Sequence, residues 1–292
     1  MQNFILYLAY RFLGLLVNIL PEFIVYWIGK RFGDLVYFIL PERRKVARKN
    51  LKLALNVNDS KARRLARANF RHLGMVLIEF LRLDQLNKDN IDEVIEIEGL
   101  EYLQQAQKED KGFVLCTGHF GNWEILGVAL ALKGFSVNAL ARDQSNELIN
   151  EHILELRQSK GINIFSNKGM VLKNAYQVLK KGEGLFVLSD QKSRHADHYI
   201  ELFGFKVLAQ LGTVGLAART NSPIIPIYIV RHRENKYKII VKEPIDVPAD
   251  ITETEKKEVM SSLYKELENL IEKYPEQWMW MHKRWKGSPD IE

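Results

Sequence analysis

The residues best suited to chemistry lie in the run GHFGNWE, where His119 and Glu124 stand five apart with Gly118, Gly121 and Asn122 around them. An imidazole can take a proton near neutral pH, and a neighbouring carboxylate can orient it and stabilise its charged form. On one regular helix, positions five apart lie about 140° apart around the axis. The two side chains can therefore meet only if His119 stays in a turn and Glu124 enters the first turn of a helix. The glycines permit such a turn, and Asn122 is of N-cap type. The N–H groups of the helix start favour an anion or a developing oxyanion. No other histidine of the chain has an acid five residues later. A structural histidine could show the same spacing; the place between a buried strand and a helix is what favours a His–Glu dyad with His119 as general base.

A second candidate is LSDQKSRHADH, where Asp190 and Gln191 end a buried strand. Asp190 could bind a cation, orient a base, pair with an arginine or cap a loop turn. In the same loop His195, Asp197 and His198 make part of a dinuclear metal motif. Ser193 stands where that motif needs a further histidine, so no metal is expected and a solvated loop is the reading. Cys116 sits in an apolar strand run and reads as a small buried hydrophobe rather than a nucleophile. The chain has no GxSxG, P-loop or GxGxxG sequence.

Positioning these residues requires alternating strands and helices. VIEIEG, GFVLCTG, SVNALAR, INIF, GLFVLSD, PIIPIYIVRH and KYKIIVKEPI read as strands. WEILGVALAL, residues 147–160, MVLKNAYQVLKK, LAQLGTVGLAART and residues 252–273 read as helices. This predicts an α/β fold with a central, mostly parallel mixed sheet flanked by helices. The last two strands are joined by a short polar turn and are expected to be antiparallel. Sites in such sheets lie at the carboxyl ends of the strands, which is where His119 and Asp190 fall.

The 292 residues carry 42 Lys+Arg and 36 Asp+Glu, a formal net charge of +6, and 47% hydrophobic residues. That composition excludes a disordered chain, and the single cysteine excludes an internal disulfide. The mean hydropathy of −0.19 excludes a multi-span transporter. Residues 3–20 are apolar apart from Arg11 and show no small-residue cleavage site, so they are expected to be retained. They could span a bilayer, lie in its interface or pack as a core helix. A second apolar stretch follows Pro21, and then come Arg43, Arg44, Lys45, Arg48 and Lys49, a cluster suited to anionic lipid or to an acidic protein. Residues 1–42 are read as apolar membrane-anchoring helices and 43–292 as the catalytic domain. Residues 60–82 read as an amphipathic helix, with Leu65, Phe70, Leu73, Val76, Leu77 and Phe80 on its apolar side. In the tail, Trp278, Trp280 and Trp285 interleave with His282, Lys283, Arg284 and Lys286. They could stack on bases, sit at a membrane or pack against the sheet edge.

GHFGNWE, the SDQ strand end, PIIPIYIVR and the terminal PEQWMWMHKRWK, in this order, resemble the bacterial lipid A biosynthesis late acyltransferases. The resemblance runs from the first apolar helix to the tail. It implies an enzyme of the bacterial inner membrane with its active site on the cytoplasmic face. Such an enzyme moves an acyl chain from acyl carrier protein, or from coenzyme A, to a hydroxyl of a lipid A precursor or related glycolipid. By motif match His119 would be the base and Glu124 its partner, while Arg157 and Asp190 match an arginine and a strand-end acid that the family also uses. Asn122, Arg157, Asp190 and Gln191 are thus expected near the substrate or the oxyanion. No cofactor, metal or nucleic acid is implied. A membrane-associated hydrolase could use the same dyad with water as acceptor. A non-catalytic binding protein would leave His119 without a role.

Overall fold

The structure is a computed structural model that describes residues 2–109, 111–141, 143–166, 170–192 and 198–291. Four helices come first: α1 (Gln2–Ile19), α2 (Glu22–Ile39), α3 (Pro41–Leu55) and α4 (Asp59–Phe80). The α/β part follows as α5 (Ile91–Val94), β1 (Ile95–Glu98), α6 (Leu100–Lys108), β2 (Phe113–Thr117), α7 (Trp123–Leu132), β3 (Val137–Ala141), α8 (Glu147–Ser159), β4 (Ile162–Ser166), α9 (Val171–Lys180) and β5 (Gly184–Leu188). It continues through β6 (His198–Leu202), β7 (Phe205–Ala209), α10 (Gly212–Thr220), β8 (Ile224–Arg233), β9 (Lys236–Val241) and α11 (Glu253–Lys273).

Seven strands form one sheet in the order β1-β9-β8-β2-β5-β3-β4. Every neighbouring pair is parallel except β8–β9, as the short connection between them predicts. β2 lies at the centre and all five of its residues are buried. Its side chains alternate between two cores. Phe113 and Leu115 join residues of α6, α7 and α8, whereas Val114 and Cys116 join residues of α9, α10 and α11. Both faces of the sheet are therefore covered, which is why its strands read as continuous apolar runs.

The expected helix at 60–82 is α4, capped by the Asn58 side chain accepting from Lys61 N–H. Its apolar stripe packs on the C-terminal segment and on α2. Glycines make the α2–α4 crossing close: a Cβ on Gly33 would stand 2.2 Å from Phe70 O, and one on Gly74 would stand 2.2 Å from Gly29 O. Arg67 and Arg71 on α4 hold Asp34 of α2 at 2.6 and 2.8 Å.

Two sequence readings change. The N-terminal segment supplies no membrane span: among the described residues no helix is long and apolar enough to cross a bilayer. Arg11 and the flanking Gln2, Asn3 and Asn18 interrupt α1, and Glu22, Lys30, Arg31 and Asp34 interrupt α2. What the two helices do carry is a row of exposed apolar side chains, among them Phe4, Leu8, Phe12, Leu15, Phe23, Trp27, Leu35 and Phe38. The second change is a two-stranded antiparallel hairpin, β6–β7, between the polar loop and the helix, in a stretch that the sequence reading gave no strand. Ile200, Leu202, Val207 and Ala209 alternate inward, and the turn residues Phe203 and Gly204 take positive φ. His198 opens β6, whereas Ser193, His195 and Asp197 lie outside the described residues.

Candidate active site

The site is built at the carboxyl ends of β2 and β5. These strands are parallel neighbours, with Thr117 opposite Leu188. The first residues beyond each strand therefore emerge side by side, and His119 meets Asp190. The His119 ring Nδ1 lies 2.7 Å from Asp190 Oδ1, and the His119 backbone N–H donates to Asp190 Oδ2 at 2.9 Å. Asp190 Oδ2 also accepts from the Trp278 indole N–H at 2.8 Å. An ionised carboxylate only accepts, so Nδ1 carries a proton, and the neutral form of this ring has its lone pair on Nε2. Asp190 is 2% exposed. Burial by itself would raise its carboxyl pKa. The facing imidazole and the three hydrogen bonds outweigh that and hold it below the ordinary value.

Gly118 to Asn122 form the turn between β2 and α7. Gly121 has φ +60°, and a Cβ there would lie 1.9 Å from Ile229 O, so glycine is required twice over. Its N–H donates to Gln277 O at 3.0 Å, and its carbonyl lies 2.9 Å from His72 Nε2. Asn122 caps α7 as its type predicts: Oδ1 accepts from the N–H groups of Glu124 and Ile125 at 3.2 and 3.1 Å. Its Nδ2 donates to Glu79 Oε2 at 2.7 Å.

The expected dyad is not the one the structure builds. Glu124 does enter the first turn of α7. There its carboxylate takes a two-pronged bond from Arg157 in the last turn of α8, NH2 to Oε1 at 2.7 Å and Nε to Oε2 at 3.1 Å. His119 remains in the turn and is bonded by Asp190 instead. The physical reason is the sheet: strand adjacency delivers an acid to His119 from residue 190. The helical phase carries Glu124 toward α8. The Trp123 ring rests edge-on against His119, 5.1 Å between centroids.

The other expected residues divide. Arg157 lies with His119 and Glu124 on one cleft. Asn122 is fully buried and both ends of its amide are taken, so it positions the helix rather than contacting a substrate. Asp190 is likewise spent on His119 and Trp278. The Gln191 amide turns to the tail, donating to Met279 Sδ at 3.4 Å. Cys116 is buried, its thiol pushed up to about 11 by burial, which removes it as a nucleophile at neutral pH. The tail tryptophans are core: Trp278, Trp280 and Trp285 are at most 5% exposed and pack on one another. Buried Arg284 bonds Tyr264 OH and Leu208 O. This removes the base-stacking reading.

The cleft encloses about 250 Å³. His119, Glu124, Arg157 and Gln144 form its polar part. Trp123, Val137, Ala139, Leu140, Ile162, Ile164, Phe186 and Leu188 are its apolar walls, with Gly127 opening space beside Ile162. It can hold an alkyl chain with the chain's polar end at His119.

The sequence profile of bacterial lipid A biosynthesis acyltransferases matches residues 1–287. The chain belongs to that family. It is accordingly an acyltransferase. Among its relatives is the lipid A biosynthesis palmitoleoyltransferase of Escherichia coli, 27% identical over 92% of this chain and 87% of the relative. The lauroyltransferase of the same organism is 27% identical over 94% and 89%. The phosphatidylinositol mannoside acyltransferase of Mycolicibacterium smegmatis is 21% identical over 83% and 78%.

In this acyltransferase, Trp278, Glu79, His72, Gln277 and Arg231 pack around the turn that holds His119, contacts that the sequence reading did not give them. Trp278 left a trace, since it belongs to the distinctive PEQWMWMHKRW ending. Gln277 lies in the same ending and Arg231 closes PIIPIYIVR, whereas Glu79 and His72 sit inside an ordinary helix pattern and carried no separate signal.

Proposed function

We propose that this enzyme transfers a fatty acyl chain from an acyl thioester to a hydroxyl of a lipid A precursor or related glycolipid, with His119 as general base. The observation that carries the reading is the His119–Asp190 pair at the polar end of an apolar cleft. A hydroxyl is a weak nucleophile until its proton is removed during attack. His119 Nε2 takes that proton as the acceptor oxygen bonds to the thioester carbonyl carbon. The resulting oxyanion develops beside Arg157 and the N-terminal field of α7. Its collapse breaks the C–S bond, and the thiolate leaves with the proton held by His119. The acid that orients the ring in this scheme is Asp190, and Glu124 holds Arg157.

Acyl carrier protein is the preferred donor, with coenzyme A as the alternative. In support, α3 carries Arg43, Arg44, Lys45, Arg48 and Lys49, and Arg43 is bonded to Met281 O of the C-terminal tail. An acidic carrier would find complementary charge there. The exposed apolar side chains of α1 and α2 suit immersion in one face of a membrane rather than crossing it. Asn146, two residues from cleft residue Gln144, donates to Asn3 O at 2.8 Å, so the start of α1 lies next to the cleft. A lipid hydroxyl would thus reach His119 without leaving the membrane surface. The setting proposed is the bacterial inner membrane, with the site on its cytoplasmic face.

The test is mass spectrometry of products from purified enzyme in detergent, given a mixed acyl carrier protein pool and a tetra-acylated lipid A precursor, beside His119→Ala. A newly acylated lipid that disappears in the variant supports the reading. Free fatty acid without acylated lipid would replace it with hydrolysis. Equal products from variant and wild type would remove His119 from the mechanism.

A further inference from the structure

Beneath the catalytic turn lies a charge pair that the transfer scheme leaves unused. Glu79, in the last turn of α4, and Arg231, on β8, are each buried. The Glu79 carboxylate accepts four hydrogen bonds. Oε1 takes Tyr26 O–H at 2.8 Å and one Arg231 nitrogen, while Oε2 takes the other Arg231 nitrogen at 2.6 Å and Asn122 Nδ2 at 2.7 Å. Holding two charges in this place opposes folding, and an apolar pair of similar volume commonly packs as well or better. Packing therefore does not explain the pair.

What an apolar pair could not do is fix the Asn122 amide. Asn122 has an acceptor end and a donor end. Oδ1 caps α7 only while Nδ2 points away from the helix, toward Glu79. Without an acceptor below, Nδ2 is a buried donor with no partner, and the amide can only satisfy it by shifting out of its place over the helix start. The cap would then be lost, and with it the start of the helix that carries Trp123 against His119 and Glu124 against Arg157.

We propose that Glu79, with Arg231 as its counter-ion, is a positioning residue for the catalytic turn, acting through the orientation of the Asn122 amide. The inference rests on the acyl-transfer reading of the cleft. Tyr26 brings α2 into the same network, so a helix with an exposed apolar face is hydrogen-bonded to the carboxylate that sets the turn.

Two double variants test this while leaving no buried charge alone. Glu79→Gln/Arg231→Met keeps an acceptor for Asn122, whereas Glu79→Leu/Arg231→Met removes it. With acyl carrier protein donor and lipid A precursor, the Gln variant is expected to keep kcat close to wild type. The Leu variant is expected to lose roughly 10- to 100-fold in kcat, the scale of a small misplacement of reacting groups, with KM for the donor unchanged. Amide hydrogen exchange at Glu124 and Ile125 should accelerate in the Leu variant alone. Wild-type kcat in the Leu variant, or equal loss in both variants, overturns the proposal. If the wild type itself transfers no acyl group, the proposed function fails, and the exchange experiment decides the inference alone. Unchanged exchange at Glu124 and Ile125 in the Leu variant then overturns it. Should the Leu variant not fold, Asn122→Ala breaks the same link with the ion pair intact. The same loss of kcat is expected there, and wild-type kcat overturns the proposal.

Discussion

Asp190→Asn tests which acid orients His119, the proposed general base. Three donors converge on Asp190: the His119 backbone N–H, the His119 ring and the Trp278 indole. An asparagine can place its oxygen where Oδ2 stands and serve the backbone and the indole. Its NH2 then faces His119 Nδ1, and two donors cannot share one contact. The ring answers by moving its proton to Nε2, which makes Nδ1 the acceptor and leaves Nε2 unable to take a proton from the acceptor hydroxyl. General-base catalysis contributes roughly 10²–10⁴. The expected loss in kcat is therefore about 3–5 kcal/mol of transition-state stabilisation. The folded state should suffer less, about 1–3 kcal/mol, because each hydrogen bond position is still filled by some polar group. Initial rates of acyl transfer by mass spectrometry give the first number and urea unfolding the second. Imidazole ¹⁵N shifts of His119 report the tautomer. A variant that keeps more than about half of the wild-type kcat would refute the argument. So would a large loss of kcat with the proton still on Nδ1.

Three further outcomes are expected. Glu124→Gln and Arg157→Gln should be non-additive in kcat/KM, with a coupling energy of about 0.5–3 kcal/mol, because the two side chains bond each other; additive losses would show that they act separately. His72 is buried, and burial followed by the nearby Arg231 lowers its pKa from 6.5 to about 3. The stability it contributes is present above its unfolded value and is lost as pH falls below it, roughly 2 kcal/mol between pH 7 and pH 5; urea midpoints of wild type and His72→Asn should converge as pH drops, and parallel pH profiles would contradict this. Phe12→Glu/Trp27→Glu places charges on the exposed faces of α1 and α2 and should reduce sedimentation with anionic vesicles without changing the far-UV spectrum; undiminished binding would put the membrane surface elsewhere.

The sequence carried the layered fold because local chemistry repeats there. Apolar runs of strand length, helices ended by Gly134 and started by Thr252, and the polar turn between β8 and β9 all translate directly into elements. Hairpin β6–β7 was missed although Ile200 and Leu202 alternate with polar residues. Its second strand runs straight into α10, and Leu208 and Ala209 at its end read as the start of that helix.

For the site, the sequence by itself determined the nucleus: a histidine in a glycine turn, an asparagine that caps the following helix and an acid two residues into it. These depend on neighbours along the chain. It also singled out Asp190, and the family resemblance pointed to Arg157, but neither could say which partner each would take. That was decided by strand order, since only the placement of β5 against β2 brings residue 190 to residue 119. Only packing put Glu79 and Arg231 under Asn122 and the Trp278 indole on Asp190. Nothing in the local pattern of α4, β8 or the tail records such contacts, because a hydrogen bond between distant segments depends on where the fold sets them and not on the residues beside them.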